Sequence, residues 1–435
     1  MIMNTTAKTP SFEPAWAALI GVDWGDSQHA IALQPTGQPV ELSKLDHSPE
    51  NLHEWLDALE KRFGGQPVAV AIEATRGAMV YCLLERPWIT IYPIHPTTST
   101  RQRQSFRPSG GKDDTLDSVV MLETLKLHRD RLRPLDPADP ATRALAELTA
   151  LRRKIVNQRT YLSNQLTAAL KDSYPHALEW VGKTLWSPMA IDFLTKWPTL
   201  TDLKAAKPAS VKRFYHAHNV RSEVVIEERL KAMAAARHLT HDEAILVARK
   251  MAVASLIAQL QVLQAHLAEV EQEIAKRYAA HPEHQFFRNL PGAGPVMGPR
   301  LVAAFGSDRS RLPSAEAAQR IFGVAPVIEE SGKRSKTHRR WSANRFLLQT
   351  VVEWAHQTIR YCPWSKAFYE SALAEGTGHW TILRSLAFKW IRILWKCWQK
   401  RTAYDPEFYL RQLDLKGSPI AKRAREIAQE FAANA

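Results

Sequence analysis

The first third of the chain alternates short apolar runs with turn residues, and this pattern predicts a sheet. The runs AALIGVDWG, HAIALQPTG and PVELSKLDH are joined by turns containing Gly or Pro, so we predict a meander of three strands. The continuous apolar run VAVAI is typical of a buried parallel strand, and ITIYPIH predicts another strand. Helices are predicted over SPENLHEWLDALEKRFGG, which has a Ser cap and a Gly64-Gly65 stop, and over GAMVYCLLER.

From about Pro140 the pattern changes to long helices. The first is LAELTALRRKIVNQRTYLSNQLTAAL, and a later one carries apolar residues alternately four and three apart, as in a coiled coil: Leu256, Leu260, Leu263, Leu267, Val270 and Ile274. This seam would pack on the first long helix or on another subunit, and an ordinary core helix is the alternative. The segment between the two helices, about residues 179–240, has no pattern that assigns it.

The last long helix separates cations from apolar residues. Lys389, Arg392, Lys396 and Lys400 form one stripe, and the adjacent face carries Trp390, Ile393, Leu394 and Cys397. We expect the apolar face to be core, whereas the cationic stripe could line a groove for nucleic acid. Cations interrupt the apolar residues of this helix, which is the most hydrophobic segment late in the chain. The sequence as a whole has no uncharged apolar run of about 18 residues, the length typical of a membrane span.

Composition and charge narrow the class of protein. The chain has 435 residues, of which 45% are hydrophobic and 23% charged, so we expect two or three folded domains rather than a disordered protein. Lys and Arg outnumber Asp and Glu by 58 to 44, and the pI is near 9.7, which favours a polyanionic partner such as nucleic acid. The three cysteines form no CxxC pair, and the N-terminus lacks a signal-peptide pattern, so we expect a cytoplasmic location without a cysteine zinc site.

A stretch rich in carboxylates, GKDDTLDS, directly precedes the apolar run VVMLETLKL, which predicts a helix. Carboxylates in a first turn commonly cap a helix, because they accept hydrogen bonds from free backbone N–H groups. Capping does not explain both Asp114 and Asp117, which share a helix face. Asp113 also shares a face with Asp117, so the spacing alone leaves the register open. Carboxylates placed in this way repel each other unless a cation lies between them.

The order of the predicted elements and their acids resembles the ribonuclease H or RuvC-like nuclease fold. The resemblance implies that four acids converge and hold Mg²⁺, with two ions expected: Asp23, Glu73, Asp114 and Asp117. Two metal ions about 4 Å apart suit in-line displacement at phosphorus. The motif GVDWGDS is also similar to the phosphate-binding first hairpin of actin-like sugar kinases and ATPases. Those proteins need a second aspartate followed by a glycine-rich phosphate loop, which this sequence does not supply.

Two motifs in the last third suit contact with nucleic acid. NLPGAGPVMGPRLVAAFG resembles a helix-hairpin-helix, whose Gly-rich hairpin holds a phosphate with backbone N–H groups, and a plain glycine turn is the alternative. Farther along, no acid occurs between Glu330 and Glu353. A solvated basic loop is the usual explanation for such a run, but its density of arginine favours phosphate contact by Lys333, Arg334, Lys336, Arg339, Arg340 and Arg345, with His338 among them.

Taken in order, these motifs resemble the DEDD-type transposases of insertion sequences, the bridge-RNA-guided serine recombinases that are relatives of the Piv invertase. The matching motifs are GVDWG, AIEATRG, the block of Lys112, Asp114 and Asp117, then PGAGPVMG, FGVAP and Glu330-Ser331-Gly332. The family has Thr or Ser after the lysine, where this chain has Asp113. The resemblance implies that Ser331 is the nucleophile and that an RNA encoded beside the gene pairs with DNA. We expect Ser331, directly before Gly332, to lie in a loop.

The resemblance also implies a domain organisation. We expect a RuvC-like metal-dependent domain over residues 1–135, a helical coiled-coil assembly region over 136–283 and a mainly helical transposase domain over 284–435. The predicted function is DNA cleavage and rejoining through Mg²⁺-bound acids and the serine. The predicted partners are donor and target DNA, a guide RNA and further copies of the chain in a dimer or tetramer, with no membrane, at the bacterial nucleoid.

Two other functions remain open at this point. One is a RuvC-like structure-specific nuclease that hydrolyses DNA with water, and the other is a nucleic-acid-binding protein without catalysis. The constellation of acids favours an enzyme over the binding protein.

Overall fold

The computed structural model describes residues 16–106, 114–135, 137–332 and 334–433. The chain divides into two compact units, Met1–Pro137 and Ala138–Ala435, which we call the N-terminal and C-terminal units.

The N-terminal unit is built on a mixed sheet of five strands. The strands are β1 (Ala18–Asp23), β2 (Gln28–Pro35), β3 (Glu41–Asp46), β4 (Val68–Ile72) and β5 (Ile89–Pro93). Their spatial order is β3-β2-β1-β4-β5, with β1, β4 and β5 parallel and the β1–β2 and β2–β3 pairs antiparallel. The predicted meander and the predicted parallel strands are therefore confirmed, and the arrangement is consistent with the expected RuvC-like fold.

The described part of this unit also contains the α-helices α1 (Pro49–Phe63), α2 (Ala78–Leu84), α3 (Pro96–Phe106) and α4 (Asp114–His128). The ends of α1 confirm its sequence signals, because Ser48 Oγ accepts from the Asn51 N–H and Gly64 closes the helix in the left-handed conformation. We did not predict α3. Its sequence, PTTSTRQRQSF, has no apolar stripe that would mark a helix.

The two faces of the sheet are covered by different helices. On one face, strand residues such as Ile20 and Val70 pack in a cluster with Leu56 of α1 and Leu83 of α2. The opposite face of the sheet contacts α4 very closely at Gly21. A Cβ at this position would overlap the Ser118 carbonyl and lie 2.5 Å from the Leu122 amide nitrogen, so only glycine lets the two backbones meet here.

The C-terminal unit is mainly helical. Its helices are α5 (Pro140–Ser173), α6 (Ala177–Trp180), α7 (Pro188–Lys196), α8 (Leu200–Lys204), α9 (Pro208–Ala217), α10 (Glu223–Ala235), α11 (Glu243–Ala280), α12 (His284–Arg288), α13 (Gly294–Phe305), α14 (Ala315–Ile321), α15 (Arg345–Tyr361), α16 (Pro363–Ala374), α17 (His379–Lys400), α18 (Pro406–Leu415) and α19 (Ala421–Ala433). One hairpin of two strands, β6 (Val327–Ser331) and β7 (Arg334–His338), lies between α14 and α15.

The long helices α5 and α11 pack along each other, so the predicted seam has a partner within the chain. Leu260, Leu267 and Ile274 of the seam are buried, and Arg152 of α5 forms an ion pair with Glu271 of α11 at 2.7 Å. By length and composition alone α11 would also be long and apolar enough to cross a membrane, and one such helix is weak support for a span.

Two hydrophobic clusters organise this unit. The segment that the sequence pattern left unassigned forms α6 to α10, whose aromatic residues, including Phe193 and Trp197, pack with the facing ends of α5 and α11. The second cluster contains residues from the helices between α13 and α19, among them Trp390 and Leu394 of α17, which are both fully buried. The apolar face of α17 is therefore core, as predicted.

We expect Gly21→Ala to destabilise the protein by about 1–3 kcal/mol, the usual cost of overpacking a well-packed site, because the added methyl group meets backbone atoms of α4 that cannot rotate away. Urea unfolding followed by circular dichroism would measure this cost. Gly378→Ala is the control, since Gly378 has open space around its α-carbon and an ordinary φ of −66°. Equal losses for the two variants would contradict the proposed backbone contact.

Candidate active site and nucleic-acid interface

Two of the predicted acids lie at the ends of neighbouring parallel strands. Asp23 is the last residue of β1, and Glu73 directly follows β4. Because Val22 pairs with Ile72, the two acids leave the sheet side by side at its carboxyl edge. Asp23 lies two residues after Gly21, and residues two apart in a strand share a face. The acids therefore project on the side of the sheet that α4 covers.

The other two predicted acids lie in the first turn of α4. Asp114 and Asp117 are three residues apart and share a helix face. Ser118 directly follows Asp117, and its carbonyl is one of the groups that lie against Gly21. The first turn of α4 therefore lies near the carboxyl edge of β1, where Asp23 ends the strand. The structure thus places Asp23 and Glu73 at the carboxyl edge of the sheet and the turn that contains Asp117 close to it.

Side chains of α3 bond to two of these acids. The Ser99 hydroxyl donates to the Glu73 carboxylate. Arg103 Nη1 donates to both carboxylate oxygens of Asp117, at 2.8 and 3.0 Å, and this ion pair is largely shielded from solvent. The guanidinium of Arg103 thereby supplies a positive charge next to carboxylates that would otherwise repel each other. The sequence pattern did not single out Ser99 or Arg103, because α3 itself was not predicted.

The donor chemistry of this edge fits Mg²⁺, since carboxylate oxygens are its usual protein ligands. However, in the part of the chain that the structure describes, no three His, Cys, Asp or Glu side chains are gathered closely enough to hold a metal ion. Two of the four acids, Glu73 and Asp117, are instead bonded to Ser99 and Arg103 of α3. Asp113, the alternative to Asp114, lies outside the described residues together with Lys112.

A buried histidine fixes the loop that follows Asp23. His29 is fully buried, its Nδ1 accepts from the Gly25 N–H at 3.2 Å, and its Nε2 lies 2.9 Å from Nδ1 of His47. Burial, and then the neighbouring His47, lower the pKa of His29. A neutral His29 that accepts at Nδ1 carries its proton on Nε2, which donates to His47. The sequence pattern missed this pair, since a histidine in a strand carries no specific signal.

We expected a loop around Ser331, and the structure instead has the β6–β7 hairpin. Ser331 ends β6 and pairs with Arg334, the first residue of β7. Gly332 has a φ of 58°, the left-handed conformation that tight hairpin turns require and that glycine adopts without strain. The glycine between two runs of alternating residues was a hairpin signal in the sequence, but the charge density of the segment suggested a loop.

The hairpin presents the candidate serine together with cations. Ser331 and Glu329 lie on one face of β6, and the register places Arg334 and Lys336 opposite them on β7. All four residues are exposed. The arrangement leaves the Ser331 hydroxyl accessible and places two positive charges on its face of the hairpin.

The remaining predicted cations continue beyond β7. The Arg339 guanidinium lies over the ring of Trp341, 3.7 Å from its centroid, and this tryptophan is 71% exposed. Arg345 begins α15 and is exposed, and Arg340 is half-buried. Lys333 lies outside the described residues. Exposed Trp and Arg side chains that stack on each other provide flat surfaces on which nucleic-acid bases also stack.

The glycine turn of the predicted helix-hairpin-helix joins α12 to α13, but it lies against α15. A Cβ on Gly292 would lie 2.9 Å from that of Gln357, and the indole N–H of Trp354 donates to the Pro291 carbonyl at 2.9 Å. These contacts favour the plain structural turn that we considered as the alternative. The C-terminal cations at Lys389, Arg392, Lys396 and Lys400 are exposed along α17.

Two family models match the chain, and both describe transposases. A DEDD-type model for the IS110 group matches residues 20–175, which include the four acids, and a model for the IS116/IS110/IS902 family matches residues 284–370, which include the hairpin. Together the two matches cover more than half of the chain.

Curated relatives match almost the whole chain. A candidate transposase for the IS117 mini-circle of Streptomyces coelicolor is 26% identical over 408 residues, which cover 91% of this chain and 97% of the relative. An uncharacterised 42 kDa protein of the insertion element IS900 from Mycobacterium paratuberculosis is 26% identical and covers 91% of this chain and 98% of its own length. A 44.8 kDa protein of IS116 from Streptomyces clavuligerus is 25% identical over 394 residues, 89% of this chain and 96% of its own. The chain belongs to the IS110/IS116/IS902 family of transposases.

The hairpin also contains a titratable contact that can be tested. Nδ1 of His338 donates to the Arg339 carbonyl at 2.8 Å, and Nε2 lies 2.9 Å from the Glu329 carboxylate. Each ring nitrogen of His338 faces an acceptor, and this favours the doubly protonated ring. The hydrogen bond to the Arg339 carbonyl and the contact with Glu329 therefore raise the pKa of His338, whereas the positive charge of Lys336 lowers it. The stabilisation is present below the ordinary pKa of 6.5 and is lost as pH rises through the raised value.

We therefore expect Glu329→Gln to lower the pKa of His338, as measured by NMR titration of the imidazole resonances. Glu330→Gln is the matched control, because Glu330 projects from the opposite face of β6 and should leave that pKa unchanged. A His338 pKa that is the same in the wild type and in both variants would show that the Glu329 contact does not form in solution.

Proposed function

We propose that this transposase cleaves and rejoins DNA with the acids of the N-terminal unit and with Ser331 of the C-terminal unit. The observation that carries the proposal is that Asp23 and Glu73 end neighbouring parallel strands, while Ser99 and Arg103 of α3 bond to Glu73 and Asp117. Asp114, in the same helical turn as Asp117, completes the proposed set of acids, within a chain whose family cleaves and rejoins DNA. The RuvC-like identity of the N-terminal unit is part of this proposal, and the strand order supports it.

The four acids would hold Mg²⁺, since all four offer carboxylate oxygens, which are its usual protein ligands. A bound Mg²⁺ would neutralise charge on the scissile phosphate and lower the pKa of a coordinated hydroxyl group. The role of the chain itself is to hold these carboxylates at the edge, and the Gly21 contact that docks α4 performs that role.

Ser331 would be the nucleophile. Its oxygen would attack phosphorus, so that an O–P bond to the serine forms, one strand leaves through the broken P–O bond, and the hydroxyl proton passes to the leaving oxygen or to solvent. The resulting phosphoserine retains the bond energy of the cut strand for rejoining without a nucleotide cofactor. Arg334, across the hairpin from Ser331, would stabilise charge on the transferring phosphoryl group.

The partners follow from the same proposal. The cations of the hairpin and of the segment after it, Arg334, Lys336, Arg339, Arg340 and Arg345, would contact the phosphate backbone of donor and target DNA. We propose the same role for Lys333, which lies outside the described residues. Three further parts of the proposal rest on the family resemblance. They are a guide RNA that selects the DNA, a homodimer or homotetramer, and a location at the bacterial nucleoid. The three-domain division at residues 135 and 283 also remains part of the proposal.

The serine mechanism is tested by Ser331→Ala, compared with Ser335→Ala on the opposite face of the same hairpin. We expect Ser331→Ala to fold and bind DNA but to give no protein covalently attached to labelled DNA on a denaturing gel, because the attacking oxygen is absent. Ser335→Ala should retain the covalent product. Strand cleavage by Ser331→Ala at the wild-type rate would instead favour the nuclease that uses water.

The proposed metal site is tested by Arg103→Gln, with Arg101→Gln as the control on the same helix. If the carboxylates form a metal site, removing the cation that is bonded to Asp117 should tighten Mn²⁺ binding by roughly tenfold, as expected for the loss of a charge-assisted hydrogen bond. Electron paramagnetic resonance of free Mn²⁺, titrated without DNA, measures this affinity. Unchanged or weaker Mn²⁺ binding in Arg103→Gln would contradict competition between the arginine and the metal.

A further inference from the structure

We propose that a cavity between α17 and α18 in the C-terminal unit binds a single-stranded segment of nucleic acid. The cavity has a volume of about 780 Å³. Five cations line it, namely Lys389, Arg392, Lys396 and Lys400 from the stripe on α17 and Lys416 after α18. The residues that line this cavity are separate in sequence from those of the hairpin and from the four acids.

The distribution of charge around the cavity favours an anionic ligand. Among the described residues, none of the five cations is in an ion pair, whereas nearby cations of α19 are paired, Arg423 with Glu370 and Arg425 with Asp414. The one carboxylate in the lining, Asp405, accepts from the Phe408 N–H and caps α18. Like charges three and four residues apart on a helix repel each other. Their concentration on α17 therefore disfavours the free chain and is relieved by a bound polyanion.

Aromatic side chains of α18 give the cavity a second kind of wall. Phe408 is 50% exposed although it lines the cavity, and Tyr409 lies beside it. An exposed aromatic ring next to a track of cations is the combination by which proteins hold single strands, since bases stack on the ring while phosphates follow the charges. The stripe from Lys389 to Lys400 spans about 16 Å of helix, enough for more than one phosphate.

The size of the cavity selects single strands over a duplex. A volume of about 780 Å³ lies within the range of pockets that enclose small molecules, so an unstacked nucleotide fits inside. A base held in a duplex cannot reach Phe408 without leaving its stack. The ligand class is thus a phosphodiester chain with at least one unstacked base, and either DNA or RNA offers it. This inference uses the proposed function only for the source of that strand.

The test measures binding by fluorescence anisotropy, so its outcome does not depend on strand cleavage. The probes are labelled oligothymidine and oligouridine of about 16 nucleotides, the upper range of single-strand sites, and a duplex of the same length. The test variant is Arg392→Gln with Lys396→Gln and Lys400→Gln, which keeps the side-chain stems and removes three charges. Lys389 is retained, because its ammonium lies over the Phe368 ring at 5.0 Å and contributes to packing.

We expect the test variant to bind at least one of the two single strands about tenfold more weakly at low salt, with the slope of log affinity against log salt reduced by about 2. The charge-matched control is Arg320→Gln with Arg411→Gln and Lys422→Gln, three exposed cations outside the cavity. Equal losses in the test and control variants would overturn the proposal, because they would show only an effect of net charge. A loss confined to the duplex would also overturn it.

A second pair of variants tests the stacking wall. Phe408→Ala should weaken the binding of the same strand by about tenfold, whereas Phe408→Tyr should retain it. Trp380→Ala is the control, because Trp380 is an aromatic residue of α17 that is 65% exposed and lies outside the cavity. Whichever of oligothymidine and oligouridine loses affinity identifies DNA or RNA as the source of the strand. Phe408→Ala that binds both strands as the wild type does would exclude a stacked base at this site.

Discussion

The N-terminal unit depends on one close contact between backbones, that of Gly21 in β1 with α4. No side chain larger than hydrogen fits between the strand and the Ser118 carbonyl. This contact holds α4 against the sheet and sets the position of its first turn along β1. Asp117, the neighbour of Ser118, is therefore brought toward the carboxyl end of β1 by packing and not by attraction between carboxylates, which repel each other. The site is built by a steric constraint that overrides an unfavourable electrostatic one.

The cost of that electrostatic repulsion explains the contacts of α3. A carboxylate that is shielded from solvent needs a hydrogen-bond donor or a cation, and Asp117, whose side chain is 13% exposed, receives both from Arg103. Glu73 receives a donor from Ser99. The same carboxylates that would bind a metal ion are thus satisfied within the chain, so metal binding must compete with α3. A polar helix with no apolar stripe is suited to such a role, because little buried surface holds it in place.

The sequence predicted those elements whose signals are local. The caps of α1, the alternation in the strands and the apolar face of α17 each follow from residues close in the chain, and the structure has all three. The sequence pattern did not predict α3, because this helix has no apolar stripe. It also missed two contacts between residues far apart in the chain: Ser99 with Glu73, 26 positions away, and Arg103 with Asp117, 14 positions away. The β6–β7 hairpin was missed for another reason. Its strands are exposed and charged and have no buried face, so the high density of charge outweighed the hairpin signal of Gly332 and favoured a solvated loop.

The cations of the C-terminal unit divide into two groups that have different physical roles. Buried or interhelical arginines are paired: Arg300 and Arg153, from α13 and α5, both contact Glu353 of α15 and join three helices. These pairs are structural, because removing one partner would leave a charge in a poorly solvated place. The cations of the hairpin and of the α17 cavity are instead exposed and concentrated, an arrangement that folding alone does not favour. Among the described residues, neither Arg334 and Lys336 of the hairpin nor the five cations of the α17 cavity form an ion pair, and this concentration of unpaired charge supports the two phosphate-binding surfaces that we propose.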